Sequence, residues 1–163
     1  MKILSMKTTI FLGAMLSLLV CLMFTGCSNS ETNSTSRGLT DFAHIEEEYL
    51  ATIDSLNWPD GITLPDKLED EDTGASFQVG YGETRASYLW EYSWMKEWLD
   101  TYNTDPERAE KALEELEKAF DMPYMGIDRC DDAPRNYLRE NIDKAKLGDP
   151  SGFTESIRAN YAN

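Results

Sequence analysis

Residues Glu83–Tyr102 read ETRASYLWEYSWMKEWLDTY, and neither glycine nor proline interrupts them. At about 100° per residue, Trp90, Trp94 and Trp98 fall on one stripe of a helix. Tyr88, Tyr92, Met95 and Leu99 form a second stripe beside the first. Together the stripes cover about 200° of the helix, wider than a one-sided core face. Aromatic side chains dominate buried area, so the pattern predicts a central helix packed on several sides. The same stripe also has a functional reading, as an aromatic platform for a glycan, a peptide or another flat ligand. Glu91 falls near the middle of this apolar arc, where a carboxylate must be paired, protonated or close to solvent. An ion pair with Arg135 or Arg139 is the structural expectation. A recognition carboxylate with a raised pKa is the functional one. The candidate ligand-binding set is therefore Trp90, Glu91, Trp94 and Trp98.

Shorter helices are expected on both sides. Phe42, Ile45, Tyr49, Ile53 and Leu56 recur at helical spacing over about 41–56, with Asp41 as a cap and Trp58-Pro59-Asp60-Gly61 as a stop. Asp105-Pro106 supplies a cap and a proline at the first helical position, after which Ala109, Ala112, Leu113, Leu116 and Phe120 line one face. Met122-Pro123 ends that helix. Another runs from Asp132 to Leu147, with Pro134, Tyr137, Leu138, Asn141, Ile142 and Ala145 on its inner face. Gly148-Asp149-Pro150 stops it, and a short final helix covers Ser151 to Tyr161. Phe77, Val79 and Tyr81 alternate at period two, which predicts a short extended or β segment near 62–81, with Ile62 and Leu64 as available partners. Gly80-Tyr81-Gly82 reads as a turn before the central helix. The expected fold is mainly α: a small bundle of about four helices, packed antiparallel.

Several chemistries are poorly served by the residues. His44 is the single histidine and falls on the polar side of its helix, so a zinc site or a Ser–His–Asp triad has little to draw on. Met122, Met125 and Cys130 are soft ligands along one loop and raise Cu(I), but packing residues are the expectation. Asp70, Glu71 and Asp72 before Gly74 resemble a calcium loop faintly and miss its 12-residue pattern. No glycine-rich phosphate loop is present. With 30 acidic residues, carboxylate pairs arise by chance, so a glycosidase-like pair cannot be argued. No catalytic set, metal or cofactor is expected.

The N-terminal residues carry an address. Lys2 and Lys7 precede an uncharged apolar run from Ile10 to Phe24. At about 1.5 Å per residue this run is too short for a hydrocarbon core of about 30 Å and suits a signal-peptide core. It ends in Phe24-Thr25-Gly26-Cys27, which resembles the lipobox of bacterial lipoproteins, with Phe24 where Leu is usual. That resemblance covers only the first 27 or so residues. It implies a signal peptide over 1–26, diacylglyceryl attachment and cleavage at Cys27, and acylation of the freed amine. Two or more acyl chains anchor a protein stably where one does not. Residues 27–40 then form the lipidated cysteine and a Ser/Thr/Asn-rich tether, and 41–163 the helical domain. Ser28 after the cysteine is compatible with the outer membrane in a Gram-negative cell.

The formal charge is −15, and loss of Lys2 and Lys7 with the leader would take it to −17. Phosphate backbones need Lys and Arg, so nucleic acid is not an expected partner. Cationic partners fit better. Cys21 would leave with the leader and Cys27 would be alkylated, leaving Cys130 as a free thiol. The leading expectation is a lipid-anchored, extracytoplasmic bacterial lipoprotein of the cell or outer membrane. It is expected to be a non-catalytic module that meets an envelope protein partner. The alternative is a small-ligand-binding lipoprotein that uses the aromatic helix face.

Overall fold

The computed structural model describes residues 38–69 and 71–161. Cys27, the apolar run before it and most of the tether lie outside those residues, as does Asp70. The fold is mainly helical. Among the described residues, five α-helices accompany one two-stranded antiparallel hairpin. They run β1 (Leu39–Thr40), α1 (Phe42–Ser55), β2 (Phe77–Gln78), α2 (Tyr81–Thr101), α3 (Pro106–Glu117), α4 (Asp132–Lys146) and α5 (Ser151–Asn160). Two 3-10 turns, Lys118–Asp121 and Pro123–Met125, join α3 to α4.

Local signals set the helix ends. The Asp41 carboxylate accepts from the His44 amide at 3.1 Å, and Asp105 accepts from Arg108 at 3.2 Å. Each cap satisfies an amide that the first helical turn leaves open. Pro106 occupies the first turn of α3. Gly148, at φ 79°, closes α4 in the left-handed conformation that glycine adopts without steric cost.

Helix α2 begins differently. Gly80 precedes it at φ 86° and offers no side chain to cap it. The acceptor comes from α1 instead. Glu48 takes the Gly80 amide at 2.7 Å through one carboxylate oxygen and the Gly82 amide at 3.2 Å through the other. A carboxylate there also meets the positive end of the helix dipole. This bridge draws the two backbones together. A methyl group on Gly82 would collide with the Ile45 carbonyl oxygen and sit 2.9 Å from the Tyr49 amide nitrogen.

Two apolar clusters flank α2. Ile45, Tyr49 and Ile53 of α1 pack with Leu68, Phe77 and Ala86. On the other side, Trp90, Trp94, Met95 and Trp98 meet Leu116, Leu138, Ile142 and Phe153 from the three later helices. The expected central, aromatic helix is therefore present and is packed on several sides.

Four expectations are corrected. Ile62 and Leu64 do not pair with the extended segment; Leu39 faces Gln78 and Thr40 faces Phe77 instead. Leu39 and Thr40 thus belong to the folded domain and not to the tether. Tyr81 is helical, because the turn at Gly80 ends the strand after Gln78. Pro134 and Tyr137, expected on the inner face of α4, are exposed. Pro134 stands one turn before Leu138, the first of the buried α4 residues Leu138, Asn141, Ile142 and Ala145, and Tyr137 stands directly before it; both line a cleft.

Because alanine favours helix over glycine, Gly82→Ala would stabilise α2 if the site were open. Backbone overlap with Ile45 reverses the sign, and a loss of roughly 3 kcal/mol or more is expected in urea unfolding. Gly74→Ala, whose added methyl meets only the Asp72 carboxylate at 3.4 Å, should stay within about 0.5 kcal/mol of the parent.

Candidate functional site

Of the four residues singled out on the central helix, Trp90 and Trp94 are interior. Each is 1 % exposed, and both indole N–H groups donate to the Asn57 carbonyl, at 2.8 and 3.1 Å. A shared backbone acceptor satisfies both donors inside the core, so this part of the stripe is structural and offers no platform. Trp98 is also buried, stacked on Tyr102 and edge-on to Phe153, and only its rim borders an open groove near Lys146.

Glu91 is different. It is 7 % exposed and lies on the face of α2 turned toward α4 and α5, at the wall of a cleft of about 780 Å3. Tyr88 stands one turn before it on the same helix. Ala133, Pro134 and Tyr137 from α4 form the opposite wall, with Ser156, Ala159 and Tyr161 from the last helix and its end. Met125 and Leu138 close the apolar floor. A volume of this size falls within the range of small-molecule pockets.

The expected ion pair of Glu91 with Arg135 or Arg139 is not formed. Arg139 lies over the Phe120 ring at 4.3 Å, and Arg135 Nη1 is buried without a hydrogen-bond partner. The Tyr124 hydroxyl, from the second 3-10 turn, donates to Glu91 Oε2 at 2.8 Å. Oε1 accepts no hydrogen bond from the described residues. Burial pushes the Glu91 carboxyl up to about 7, and the Tyr124 bond opposes that rise by favouring the ionised form. Burial also raises Tyr124, Tyr161 and Tyr88, with the Glu91 charge adding to each, so these phenols stay neutral. Tyr124 packs edge-on to Tyr88 at 5.6 Å, and the Tyr161 hydroxyl donates to the Tyr88 carbonyl at 3.2 Å.

Other residues weighed from sequence fall elsewhere. His44 is exposed, with Nε2 3.3 Å from Glu48. Glu71 accepts from Tyr81 at 2.7 Å and Arg85 at 2.8 Å, and Asp72 from the Gly74 amide at 2.9 Å. These carboxylates are engaged by the protein and do not converge on one point. Cys130 Sγ lies 3.6 Å from Met125 Sδ, and burial raises its thiol pKa. Among the described residues, no three His, Cys, Asp or Glu side chains are placed to hold a metal. None of the described helices is long and apolar enough to cross a membrane.

Sequence reasoning located Glu91 and missed Tyr124, Tyr137 and Tyr161 as its neighbours. Tyr124 is 33 positions away, and nothing in Met122-Pro123-Tyr124-Met125 marks its hydroxyl as the partner of an acid. Scans against family models, curated proteins and solved structures found no match to this chain.

A carboxyl raised on folding from 4.5 to about 7 corresponds to roughly 3 kcal/mol that the ionised group subtracts from stability. The folded form holds this proton more tightly than the unfolded chain. Its contribution is therefore favourable at low pH and falls as pH rises from about 4.5 to 7. Glu91→Gln should be more stable than the parent at pH 8 by up to about 3 kcal/mol, the gap closing toward pH 4.5 in urea unfolding across pH. Tyr124→Phe should move the Glu91 titration, followed by carboxyl NMR, further upward.

Proposed function

We propose that this chain is a lipid-anchored, extracytoplasmic bacterial domain that binds a small organic ligand in the cleft beside Glu91. One observation carries the reading: a carboxyl 7 % exposed, with one oxygen held by Tyr124 and the other free among the described residues, is the one charged side chain in a cleft lined otherwise by apolar, aromatic and neutral polar residues. Fixed polar groups in an apolar cavity orient ligands. Partner binding through the acidic surface rests on charge alone, whereas the ligand reading has both charge and a built cavity. The cleft lining holds a single carboxylate, so paired-carboxylate catalysis has no second member there. Binding without turnover is the fitting role.

The anchor reading rests on the lipobox-like Phe24–Cys27 and the short apolar run before it. Cys27→Ala is expected to lose acyl labelling and to leave the membrane fraction or remain unprocessed. Continued labelling of that variant would overturn the anchor. The ligand reading is tested with Ala159→Trp, which fills the exposed wall of the cleft without entering the core. In a metabolite screen read by thermal shift, compounds that raise the parent's melting temperature should lose their effect on this variant, while its ligand-free melting temperature stays within about 2 °C. Shifts that persist in Ala159→Trp would place binding elsewhere.

A further inference from the structure

We propose that the ligand of the Glu91 cleft is an organic cation, an amine or ammonium group on an apolar body. The inference rests on the ligand-binding reading above and adds the charge class of the ligand.

The lining contains one side chain that is charged near neutrality, Glu91, and no lysine, arginine or histidine. An anionic ligand would find no cationic side chain to receive it. Asp131 and Asp132 at the start of α4 offset the positive end of that helix, which is the other local feature that would favour an anion. The chain as a whole is strongly acidic, at −15, so its field draws cations toward any opening. A cation within the cleft meets two complementary features. Glu91 Oε1 has no hydrogen-bond donor from the described residues and lies where a charge-assisted bond is strong, since little water competes. Tyr88 and Tyr137, 44 % and 40 % exposed at the mouth, offer the aromatic rings to which ammonium groups are drawn. Met125, Leu138 and Pro134 give the apolar body its surface.

The groups facing Glu91 do not already neutralise it. Tyr124 comes from the 3-10 turn, Tyr88 from α2 itself and Tyr161 from the end of α5, and all three are phenols held neutral by burial. Cys130, ahead of α4, is a thiol with a raised pKa, and the nearby Arg135 acts on Cys130. Ionised Glu91 is thus a buried negative charge that a bound ammonium would complete. Because Glu91 titrates near 7 in the free protein, cation binding should release a proton below that pH and tighten as pH rises.

The test uses three probes of one shape: phenethylammonium, 2-phenylethanol and phenylacetate. Each is titrated against the protein by calorimetry, with NMR of the Tyr88 and Tyr137 rings to locate binding. At pH 8, phenethylammonium should bind about tenfold or more tightly than 2-phenylethanol, and phenylacetate more weakly than either. The preference should shrink as pH is lowered through 7, while phenethylammonium itself stays protonated. Glu91→Gln should abolish the preference of amine over alcohol. The pH series on the parent protein needs no variant and decides the matter alone if Glu91→Gln fails to fold. Equal binding of amine and alcohol at pH 8, or tightest binding of phenylacetate, would overturn the cation assignment and leave the cleft as a ligand site. If none of the three probes moves the Tyr88 or Tyr137 signals, the assignment falls and the ligand-binding reading falls with it.

Discussion

The close crossing of α1 and α2 at Gly82 is the constraint on which the rest of the architecture depends. Glu48 joins the helices by accepting two amides from the open end of α2, and Gly82 lets the backbones approach to a distance that no side chain permits. Those amides would otherwise be left without a partner, since Gly80 supplies no cap. One carboxylate therefore caps one helix and docks another. With α2 held at its first turn, its remaining length passes between the α1 cluster on one side and the α3–α5 cluster on the other.

That position explains the fate of the aromatic residues. A helix flanked on several sides must fill more than one interface, and indoles fill space efficiently if their N–H groups find acceptors. The Asn57 carbonyl serves Trp90 and Trp94 together, and Trp58 donates to the Ile53 carbonyl at 2.9 Å. The segment just after α1 thus supplies polar closure for the core of α2. Glu91, between two of these tryptophans in sequence, turns toward the gap that α4 and α5 leave open. Its partner is a phenol, which satisfies one oxygen without cancelling the charge.

How much of this could be read from sequence follows from how local each cause is. The caps at Asp41 and Asp105 and the stop at Gly148 act within a few residues, and their signatures are visible in the chain. The width of the aromatic arc is a property of one helix, so the central role of α2 was legible, and so was the anomaly of an acid within it. The pairing of Leu39–Thr40 with Phe77–Gln78 was not, because Leu39 follows a polar stretch with no alternation of its own. Gly80-Tyr81-Gly82 reads as a turn; only Gly80 is one, while Gly82 serves a contact made with a helix more than 30 positions earlier. The Glu91–Tyr124 bond is equally distant. The sequence marks which residue on α2 is unusual but not which side chains meet it across the bundle.

The choice of glutamate at position 91 can be weighed against what the fold alone requires. A glutamine there would keep an acceptor for Tyr124 and would not carry the cost of burying a charge, which is roughly 3 kcal/mol when ionised. Against a net stability of about 5–15 kcal/mol for a domain, that is a large concession. Paired buried ions can offset such a cost through their mutual attraction, but the arginines of α4 do not form that pair with Glu91. Nor does Glu91 cap a helix or bridge two of them, as Glu48 does. What sets it apart is its place at the wall of a cavity, with one oxygen unclaimed by the described residues and tyrosines at the mouth. A residue that weakens the fold where a neutral isostere would serve it better calls for a contact the protein does not make with itself, and the ligand proposed for the cleft would supply it.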